Sequence, residues 1–498
     1  MTAPALAPAA VAGKVTWHSV GDVSRRSAEL RAAQRDWDSM GSRERASQLE
    51  LFGRWISANR EDIVSAMVSE TGKSRGDAAV EIPVALQLIS YYGRHAEKFM
   101  APEKRKSSSI AFANKRVTVH RRAYPVVGII SPWNYPVANP LMDAIPALAA
   151  GCSVLVKPSE LTPVTIGLLA DAWRTLGGPD VFGVVNGGRE TGEAVIDEAD
   201  FVQFTGSSRT GTAVLERAAK TLTPVSLELG GKDPMIVLSD ADLERAANAA
   251  VWGSMFNAGQ TCVAVERVYV ESRVYDEFLG KVVEKVRKLE LANDSRTVEP
   301  EIGAVIDERQ LAIITEHVDA AVAAGAHIAT GGKRAADSNG FPFYEPTVLT
   351  EVDHSMEAMT VETFGPTLPI MRVRDENEAI MLANDSPYGL SASVFSRDLG
   401  RANRVAEQLE CGAVNINDVI INMLSATAPQ SGWKTSGIGA RFGGAAGMHK
   451  YCRTESIVTS HGPSKTEALW YSVDHRVRAA AVRALSIDAL SKMWRVRR

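Results

Sequence analysis

In the second quarter of the chain, short apolar runs alternate with longer helix-like segments, and this alternation limits the possible folds more than any other feature. The runs PVVGII (125–130), SVLVK (153–157) and FVQFTG (201–206) have the length and composition of buried strands. The segments LMDAIPALAAG (141–151) and VTIGLLADAWRTL (164–176) separate them and are long enough for helices. Strands that alternate with helices form a parallel sheet covered on both faces. The sequence therefore predicts an α/β fold.

The alternation begins again after the stretch SLELGGKDPMIVL (226–238). A helical pattern over 240–258 leads to a β-rich run at 265–270, and the strand-like runs SASVFS (391–396) and GAVNIN (412–417) follow. At roughly 150 residues per domain, a chain of 498 residues has room for about three units or two large ones. This second series predicts a second α/β domain.

Three segments lie outside the two series. Residues 24–100 carry apolar side chains at three- and four-residue spacing, which is typical of helices. The basic stretch KRVTVHRRAY (115–124) alternates in polarity like an exposed hairpin strand. The last stretch (472–498) is basic and helix-prone, and its simpler interpretation is a frayed end or a helix packed on a neighbouring subunit. Contact with a membrane surface or gating of a substrate is the alternative.

Composition and charge argue against several classes of protein. The net charge of −4 gives no overall attraction for nucleic acid. The N-terminal stretch MTAPALAPAAVAG lacks the basic start and apolar centre of a signal peptide, and no apolar run reaches the length of about 18 residues that a transmembrane helix needs. The four cysteines form no CxxC pair and the nine histidines form no HExxH motif, so neither a disulfide framework nor a metal site is expected. These features indicate a cytoplasmic protein.

Cys262, in NAGQTCVAVERVYV (257–270), raises the question of covalent catalysis. A nucleophilic cysteine needs a thiolate or a nearby base, donors for an oxyanion, and a group that activates water. Glu228 in SLELGGK and Asn134 in SPWNYP each lie at a predicted strand end, where ligands of parallel sheets collect. Taken alone, each of the three also has a structural interpretation: a core cysteine, an ion-pair partner and an Asx-turn.

The stretch FTGSSRTG (204–211) is a glycine-bounded loop between a strand and a helix. Backbone N–H groups at a helix N-terminus bind phosphate. The loop is not a Walker A motif, because Thr212 stands where that motif has lysine. The stretch GIGARFGG (437–444) is not interpreted as a dinucleotide-binding loop, because no buried strand is predicted before it and Phe442 interrupts the glycine pattern. From the residues alone, the first loop predicts a nucleotide-type site of unspecified ligand.

Seven motifs taken together resemble the aldehyde dehydrogenase superfamily, in its NAD(P)-dependent, hydrolytic form. The resemblance extends from ETGK (70–73) to about Lys450, and the spacing between Glu228 and Cys262, 262 − 228 = 34 residues, is also similar to that of the family. The motifs, in the order of the family, are SPWNYP (131–136), LVKPSE (155–160), FTGSSRTG, LELGGKDP (227–234), NAGQTC (257–262), ETFGP (362–366) and SPYGLSASVFS (386–396).

The resemblance implies a Rossmann-like coenzyme domain, an α/β catalytic domain and a small β oligomerisation flap. It also implies a homodimer or homotetramer, with ASVFSRD (392–398) and YCRTESIVTS (451–460) as strands of the oligomerisation sheet. The implied boundaries are 14–104 and 124–230 for the coenzyme domain, 231–443 for the catalytic domain, 105–123 and 444–465 for the oligomerisation segments, and 466–498 for a basic helical tail.

The resemblance also implies a mechanism. Cys262 attacks the aldehyde carbon to give a thiohemiacetal, whose oxyanion is held by the Asn134 amide and a backbone N–H near Cys262. Hydride transfer to the nicotinamide leaves a thioester, and Glu228 activates the water that releases the carboxylic acid. The coenzyme-binding residues that it implies are Trp133, Lys157, Glu160, Gly188, Gly206, Ser207, Gly211, Leu229, Glu362 and Phe364.

Two alternative functions stay open. In a coenzyme-A-acylating relative a thiol replaces water in the second half-reaction, and Glu228 argues against this because such relatives generally lack that carboxylate. A catalytically silent binding relative, like some lens crystallins, is disfavoured because cysteine, glutamate and asparagine are all present.

The coenzyme and the substrate are also left open. Glu160 favours NAD because a carboxylate repels a 2′-phosphate, whereas Ser159 and Lys157 could accommodate that phosphate, so the expectation is NAD(P) with a preference for NAD. The candidate substrates are succinate semialdehyde and an aliphatic or fatty aldehyde. Val263 and Ala264 follow the nucleophile, so the second cysteine of one redox-sensitive type of succinate-semialdehyde dehydrogenase is absent.

Overall fold

The structure, a computed structural model, describes residues 15–107, 109, 112–293, 299–462 and 465–495. The N-terminal region is helical and ends in two strands. Ser19 begins the first helix with a capping box, since its side chain accepts from Asp22 N while the Asp22 carboxylate accepts from Ser19 N. The elements are α1 (Val20–Ser39), α2 (Ser42–Ala58), α3 (Arg60–Thr71), α4 (Arg75–Met100), β1 (Glu103–Arg105) and β2 (Lys115–Ala123).

The next part of the chain, together with the later strand β19 (Gly437–Ile438), forms a six-stranded sheet in the order β19-β7-β6-β3-β4-β5. Its strands from β7 to β5 are parallel and almost wholly buried, which explains their continuous apolar composition. The elements are β3 (Val126–Ile130), α5 (Ala138–Ala150), β4 (Ser153–Lys157), α6 (Pro163–Thr175), β5 (Phe182–Val184), α7 (Arg189–Glu198), β6 (Phe201–Thr205), α8 (Ser208–Ala219) and β7 (Val225–Glu228).

A second sheet has seven strands in the order β10-β13-β14-β9-β8-β16-β17, parallel except for β10. A short hairpin of β11 and β12 and the pair β15–β18 accompany it. The elements are β8 (Asp233–Val237), α9 (Leu243–Met255), β9 (Val265–Glu271), α10 (Tyr275–Val286), α11 (Glu308–Ala323), β10 (His327–Thr330), β11 (Arg334–Ser338), β12 (Phe341–Tyr344), β13 (Thr347–Thr350), α12 (Glu357–Thr360), β14 (Thr367–Val373), α13 (Glu376–Asn384), β15 (Tyr388–Gly389), β16 (Ser391–Phe395), α14 (Leu399–Ala406) and β17 (Ala413–Ile416).

The C-terminal part returns to the earlier elements. The strand β19 pairs antiparallel with β7, and β20 pairs antiparallel with β2 to complete a three-stranded sheet in the order β1-β2-β20. No helix among the residues described combines the length and apolarity needed to cross a bilayer. The elements are α15 (Ile421–Leu424), β18 (Trp433–Lys434), β19 (Gly437–Ile438), α16 (Gly444–His449), β20 (Cys452–Ser460) and α17 (His475–Arg495).

The predicted α/β fold with two series of strands is confirmed, and one strand assignment is wrong. The stretch ASVFSRD was expected in the oligomerisation sheet, but its strand β16 lies between β8 and β17 inside the seven-stranded sheet and is buried. Its mixture of serine and apolar residues fits a central strand as well as an exposed one. YCRTESIVTS, by contrast, forms β20 at the edge of the three-stranded sheet, with all but its first strand residue exposed.

Candidate active site

A cleft of about 430 Å³ lies where the carboxyl ends of the six-stranded sheet face the start of β9. The turns after β3, β4, β6 and β7 contribute to it, as do Cys262 and the turn at 362–364. The structure therefore brings the three predicted catalytic residues into one cleft. The predicted site residues that line it are Trp133, Asn134, Glu160, Gly206, Ser207, Glu228, Leu229, Cys262, Glu362 and Phe364.

The other three predicted coenzyme residues lie outside this lining. Lys157 Nζ donates to the Pro158 carbonyl over 2.8 Å and lies 3.5 Å from Glu160 Oε2, so its charge acts on the cleft through Glu160. Gly188 is the exposed residue before α7. Gly211 lies within α8, where a Cβ atom would come within 2.5 Å of the Leu229 side chain.

A larger groove of about 1280 Å³ lies beside the junction of α3 and α4 and is also lined by side chains of α9 such as Trp252. None of the predicted catalytic or coenzyme residues lines it. The smaller cleft is therefore the candidate active site, because it alone of the two contains groups with the required chemistry.

The turn that carries Cys262 is held in a strained conformation. Asn257 and Ala258 have φ of 55° and 53°, which costs about 1–3 kcal/mol for each non-glycine residue. Gly259 follows at φ 72°, where a Cβ atom would be 2.0 Å from the Gly365 carbonyl oxygen. The Gln260 side chain bonds to the Asn257 carbonyl, the Ala304 carbonyl and the Ile306 N–H, and so fixes the turn from both sides.

Asn134 is fixed by a buried ion pair at the back of its own turn. Lys73 Nζ donates to Glu81 Oε1 and to the Asn134 backbone carbonyl, each over 2.8 Å. The other oxygen of Glu81 accepts the N–H groups of Val137 and Ala138, over 2.9 and 2.8 Å, at the start of α5. The Asn134 side chain is thereby presented on a rigid support.

The amide of Asn134 has one hydrogen still available for a ligand. Its Nδ2 donates to the Gln260 carbonyl over 3.0 Å, and its Oδ1 accepts from Asn139 Nδ2 over 2.9 Å. An amide nitrogen carries two hydrogens, so the second can be donated to an oxyanion at Cys262.

Glu228 ends β7 and is completely buried in the wall of the cleft. Burial raises its pKa, and the nearby guanidinium of Arg441 opposes that rise. Burial also raises the pKa of the Cys262 thiol well above its usual range, and the charge of Glu228 adds to this effect. The resting sulfur is therefore a neutral thiol beside a carboxyl group that can take its proton.

A second buried carboxylate shapes the turn at 362–364. Glu266 accepts the N–H groups of Thr363 and Phe364 over 2.8 and 2.9 Å, and is paired with Lys232 over 2.7 Å. Glu362 accepts the Gly231 N–H over 3.0 Å. Its burial, together with the charge of Glu266, raises the pKa of Glu362 to about 8.

The opposite part of the cleft suits a phosphate-bearing, aromatic ligand. The helix α8 begins just after Gly206 and is capped by Ser207, whose hydroxyl accepts from Thr210 N. The N–H groups of a first helical turn lack partners within the helix and favour an anion. Trp133 and Phe364 meet edge to face with their ring centres 5.6 Å apart.

Comparison with known proteins decides the family. The family model of the aldehyde dehydrogenase family matches residues 2–457 of the chain. The chain belongs to the aldehyde dehydrogenase family. It is an NAD(P)-dependent oxidoreductase acting on aldehydes, which confirms the reaction predicted from the sequence.

Among the relatives of this aldehyde dehydrogenase is a Mycolicibacterium smegmatis protein with the provisional name of a succinate-semialdehyde dehydrogenase that uses NADP+. The two are 41% identical over 88% of this chain and 84% of the relative. A protein from Methylomonas sp., named 4,4′-diapolycopene aldehyde oxidase, is 39% identical over 90% of this chain and 82% of its own length.

Solved structures agree with the fold of this aldehyde dehydrogenase. The provisionally named aldehyde dehydrogenase PutA from Anabaena variabilis superposes with a TM-score of 0.86 at 38% identity, covering 92% of this chain and 96% of that one. Betaine aldehyde dehydrogenase from Staphylococcus aureus in complex with NAD+ gives a TM-score of 0.84 at 34% identity, covering 92% and 90%.

Sequence reasoning missed several groups that shape the site of this aldehyde dehydrogenase. Lys73 lies within the quoted ETGK motif, but its partner Glu81 follows eight residues later in α4 without any motif of its own. Arg441 lies in the GIGARFGG stretch, which was set aside because it is not a dinucleotide-binding loop. A single arginine in a glycine-rich stretch does not indicate a site residue. Its position beside Glu228 follows only from the pairing of β19 with β7.

Proposed function

We propose that this aldehyde dehydrogenase is hydrolytic and works through Cys262 as nucleophile, Asn134 as oxyanion donor and Glu228 as general base. The observation that carries the proposal is the common cleft in which all three side chains meet. A thiol, an amide donor and a buried carboxylate are the groups that acyl transfer through a thioester needs.

The first half-reaction begins at the neutral thiol of Cys262. Glu228 is the carboxyl group whose charge acts on the sulfur, and it takes the thiol proton as the sulfur attacks the aldehyde carbon. The free hydrogen of the Asn134 amide stabilises the oxygen that becomes negative. When bound, NAD(P)+ supplies the acceptor for the hydride that leaves this carbon.

The second half-reaction hydrolyses the thioester. Glu228 first releases the thiol proton to solvent and then removes a proton from water as the oxygen attacks the thioester carbon. The carbon–sulfur bond breaks, and Glu228 returns the water proton to the Cys262 thiolate that leaves. The product is a carboxylic acid. The presence of Glu228 favours water over coenzyme A as acceptor, and an assay for acyl-CoA formation distinguishes the two.

The cleft fits NAD(P). The start of α8 suits the pyrophosphate, while the carboxyl oxygens of Glu160 and Glu362 can accept hydrogen bonds from hydroxyl groups of the two riboses. Gly230 leaves room for this arrangement, because a Cβ atom there would be 2.5 Å from Glu362 Oε2. Trp133, Gly206, Ser207, Leu229 and Phe364 stay predicted contacts of the coenzyme. Coenzyme binding by Lys157, Gly188 and Gly211 also stays a prediction, although these three residues do not line the cleft.

The preference for NAD rests on Glu160 alone. The relative named for NADP+ does not favour this preference, and Lys157 offsets part of the Glu160 charge at 3.5 Å. We therefore propose that both coenzymes are used.

The proposed substrate is succinate semialdehyde, which the name of a 41% identical relative supports. An apolar aldehyde is the second candidate, because a 39% identical relative is named for a diapolycopene aldehyde. A panel of aldehydes assayed by NADH and NADPH absorbance tests both. A kcat/KM at least about tenfold higher for succinate semialdehyde than for hexanal or decanal supports the first, since this ratio corresponds to 1.4 kcal/mol of transition-state discrimination.

The predicted domain boundaries, the homo-oligomer and the cytoplasmic location also stay proposals. The edge strand β20 supports assembly through that sheet, because it leaves Ile457 and Val458 exposed by 43% and 60%. Light scattering on the Val458→Lys variant tests this: a smaller assembly than that of the unmodified protein supports the proposed interface.

A further inference from the structure

Arg441 is a buried arginine that the mechanism above does not use. It follows β19, whose antiparallel pairing with β7 sets Gly437 opposite Glu228. Arg441 Nη1 lies 2.9 Å from Glu228 Oε1, and both residues are only 1% exposed. The register of one short strand therefore brings a permanent cation to the proposed base.

A second contact of Arg441 leads to the oxyanion donor. Its Nη2 donates to Asn139 Oδ1 over 2.7 Å, and Asn139 Nδ2 donates to Asn134 Oδ1 over 2.9 Å. These two hydrogen bonds fix the orientation of the Asn134 amide. Its oxygen is held by Asn139, so its nitrogen must face Gln260 and the cleft. Glu228, Arg441, Asn139 and Asn134 thus form one continuous group.

The contact between Glu228 and Arg441 is one of charge rather than of aligned hydrogen bonds. Among the residues that the structure describes, neither Glu228 oxygen has a partner in full hydrogen-bond geometry, and the same holds for Arg441 Nε and Nη1, although all four atoms are buried. A buried carboxylate without a cation becomes protonated instead. A carboxylate that is held by charge alone can still rotate toward a water molecule.

Other charged groups around the pair are already matched with each other. Asp143 of α5 lies 3.3 Å from Lys450 Nζ and accepts the Tyr451 hydroxyl over 3.0 Å. Lys450 also donates to Gln203 over 2.6 Å, and burial lowers the pKa of Lys450 to about 8. The remaining titratable groups that act on Glu228 and Arg441 are Cys262 and, more weakly, Glu362. Among the described residues, Arg441 is therefore the cation that lies in direct contact with Glu228.

We propose that Arg441 is a positioning residue for thioester hydrolysis: its guanidinium keeps Glu228 ionised and, through Asn139, keeps the Asn134 amide aimed at the oxyanion. This inference rests on the proposed role of Glu228 as the base. It explains how a fully buried carboxyl group is kept usable as a base near neutral pH. It also assigns a function to the GIGARFGG stretch.

The test uses the full-length protein with Arg441→Gln and Arg441→Lys, and measures the NAD(P)H burst and the steady-state kcat from pH 5 to 10. The positive charge of Arg441 lowers the pKa of Glu228. Removal of that charge therefore moves the acidic limb of the pH profile of kcat to higher pH, by about 1–3 pH units. We expect Arg441→Gln to keep a burst of full amplitude that forms more slowly, since Glu228 also takes the thiol proton. Its steady-state turnover is expected to be lost at neutral pH and to recover at high pH. Arg441→Lys keeps the positive charge, so the acidic limb of its kcat profile is expected at nearly the same pH as in the unmodified enzyme.

A matched control is Arg45→Gln. Arg45 is also buried, but it binds the backbone carbonyls of Ala149 and Asp38 and lies between α1, α2 and α5 rather than at the cleft. It is expected to lower stability without moving the limb. Rates are divided by the number of sites that titrate with NAD(P)H in the burst, so that loss of folded protein is not counted as loss of catalysis.

The outcomes separate this inference from the proposed function. If Glu228→Gln slows turnover but Arg441→Gln leaves the limb in place, Arg441 is only a structural residue and the inference is wrong. If Glu228→Gln itself leaves turnover unchanged, the base has been assigned wrongly and the proposed function fails as well. If Arg441→Gln does not fold, Arg441→Lys decides the question. Because lysine keeps the positive charge, a shift of about 1–3 pH units in the acidic limb of its kcat profile contradicts the role of the charge.

Discussion

The side-chain amide of Asn134 donates to the backbone carbonyl of Gln260 over 3.0 Å. This bond joins the turn after β3 in the first sheet to the strained turn before β9 in the second. The oxyanion donor and the nucleophile are therefore positioned relative to each other by direct contact rather than only by domain packing.

The nucleophile assignment predicts that Cys262→Ser loses aldehyde oxidation by at least about 10³-fold, because a serine hydroxyl is a far weaker nucleophile in the same place. Coenzyme binding, followed by tryptophan fluorescence, is expected to be retained. The control is Cys411→Ser. Cys411 is buried among apolar side chains of the seven-stranded sheet and contacts the Ala413 carbonyl away from the cleft. Activity in Cys262→Ser equal to that of the control contradicts the assignment.

The buried ion pair of Lys73 and Glu81, which holds the turn of Asn134, predicts that Lys73→Met lowers both stability and activity. This change leaves Glu81 as an unpaired buried charge, which costs about 3–5 kcal/mol in the free energy of unfolding. Activity per folded site is expected to fall as well, because the Asn134 carbonyl loses its partner. Denaturant unfolding and burst titration measure the two effects.

The exposed pair of Arg54 and Glu50 on α2 provides the comparison for that variant. Its side chains are 68% and 65% exposed, so Arg54→Met is expected to leave stability and activity unchanged within error. Equal effects of the two substitutions would show that the Lys73 pair has no special role in the site.

Coenzyme choice is expected to follow Glu160. The Glu160→Gln variant removes a negative charge from the cleft and frees Lys157 from its partner at 3.5 Å. Both changes favour a 2′-phosphate, so the ratio of kcat/KM for NADP+ to that for NAD+ is expected to rise by about tenfold. An unchanged ratio shows that Glu160 does not face the 2′ position.

The C-terminal helix is expected to be dispensable for substrate choice. The cleft is lined by residues from 132 to 364, and the described side chains of α17 are not among them. Removal of 472–498 is therefore expected to leave the relative kcat/KM values across a series of aldehydes from C3 to C12 unchanged. A changed chain-length profile shows instead that the tail acts as a gate.

Much of this architecture was predictable because the relevant signals are local. The buried strands β3, β4 and β6 are continuous apolar runs between turn residues, and Gly151 closes α5 at φ 107° as its position indicated. Glu228 and Asn134 could be placed at one sheet edge because both follow parallel strands. The motifs then led to the family.

The remainder depends on contacts that no local pattern encodes. Cys262 precedes its strand instead of following it, so the rule about carboxyl strand ends did not place it. Arg441 reaches Glu228 through a two-residue strand, 441 − 228 = 213 positions away in sequence. The prediction that ASVFS lies in the oligomerisation sheet was wrong because its mixture of serine and apolar residues is compatible with a surface strand. Only pairing with β8 and β17 makes it a central strand.

The proposed mechanism depends most on a thioester formed at Cys262 while the reduced coenzyme is produced. The most direct measurement mixes the Glu228→Gln variant with NAD(P)+ and succinate semialdehyde, and follows the absorbance burst and the intact protein mass together. We expect one NAD(P)H and one acyl group per site, formed more slowly than in the unmodified enzyme because glutamine cannot take the thiol proton. The acyl group is expected on the peptide that contains Cys262. Reduced coenzyme formed at that stoichiometry with no added mass on the protein, or an acyl group on any other residue, would contradict it.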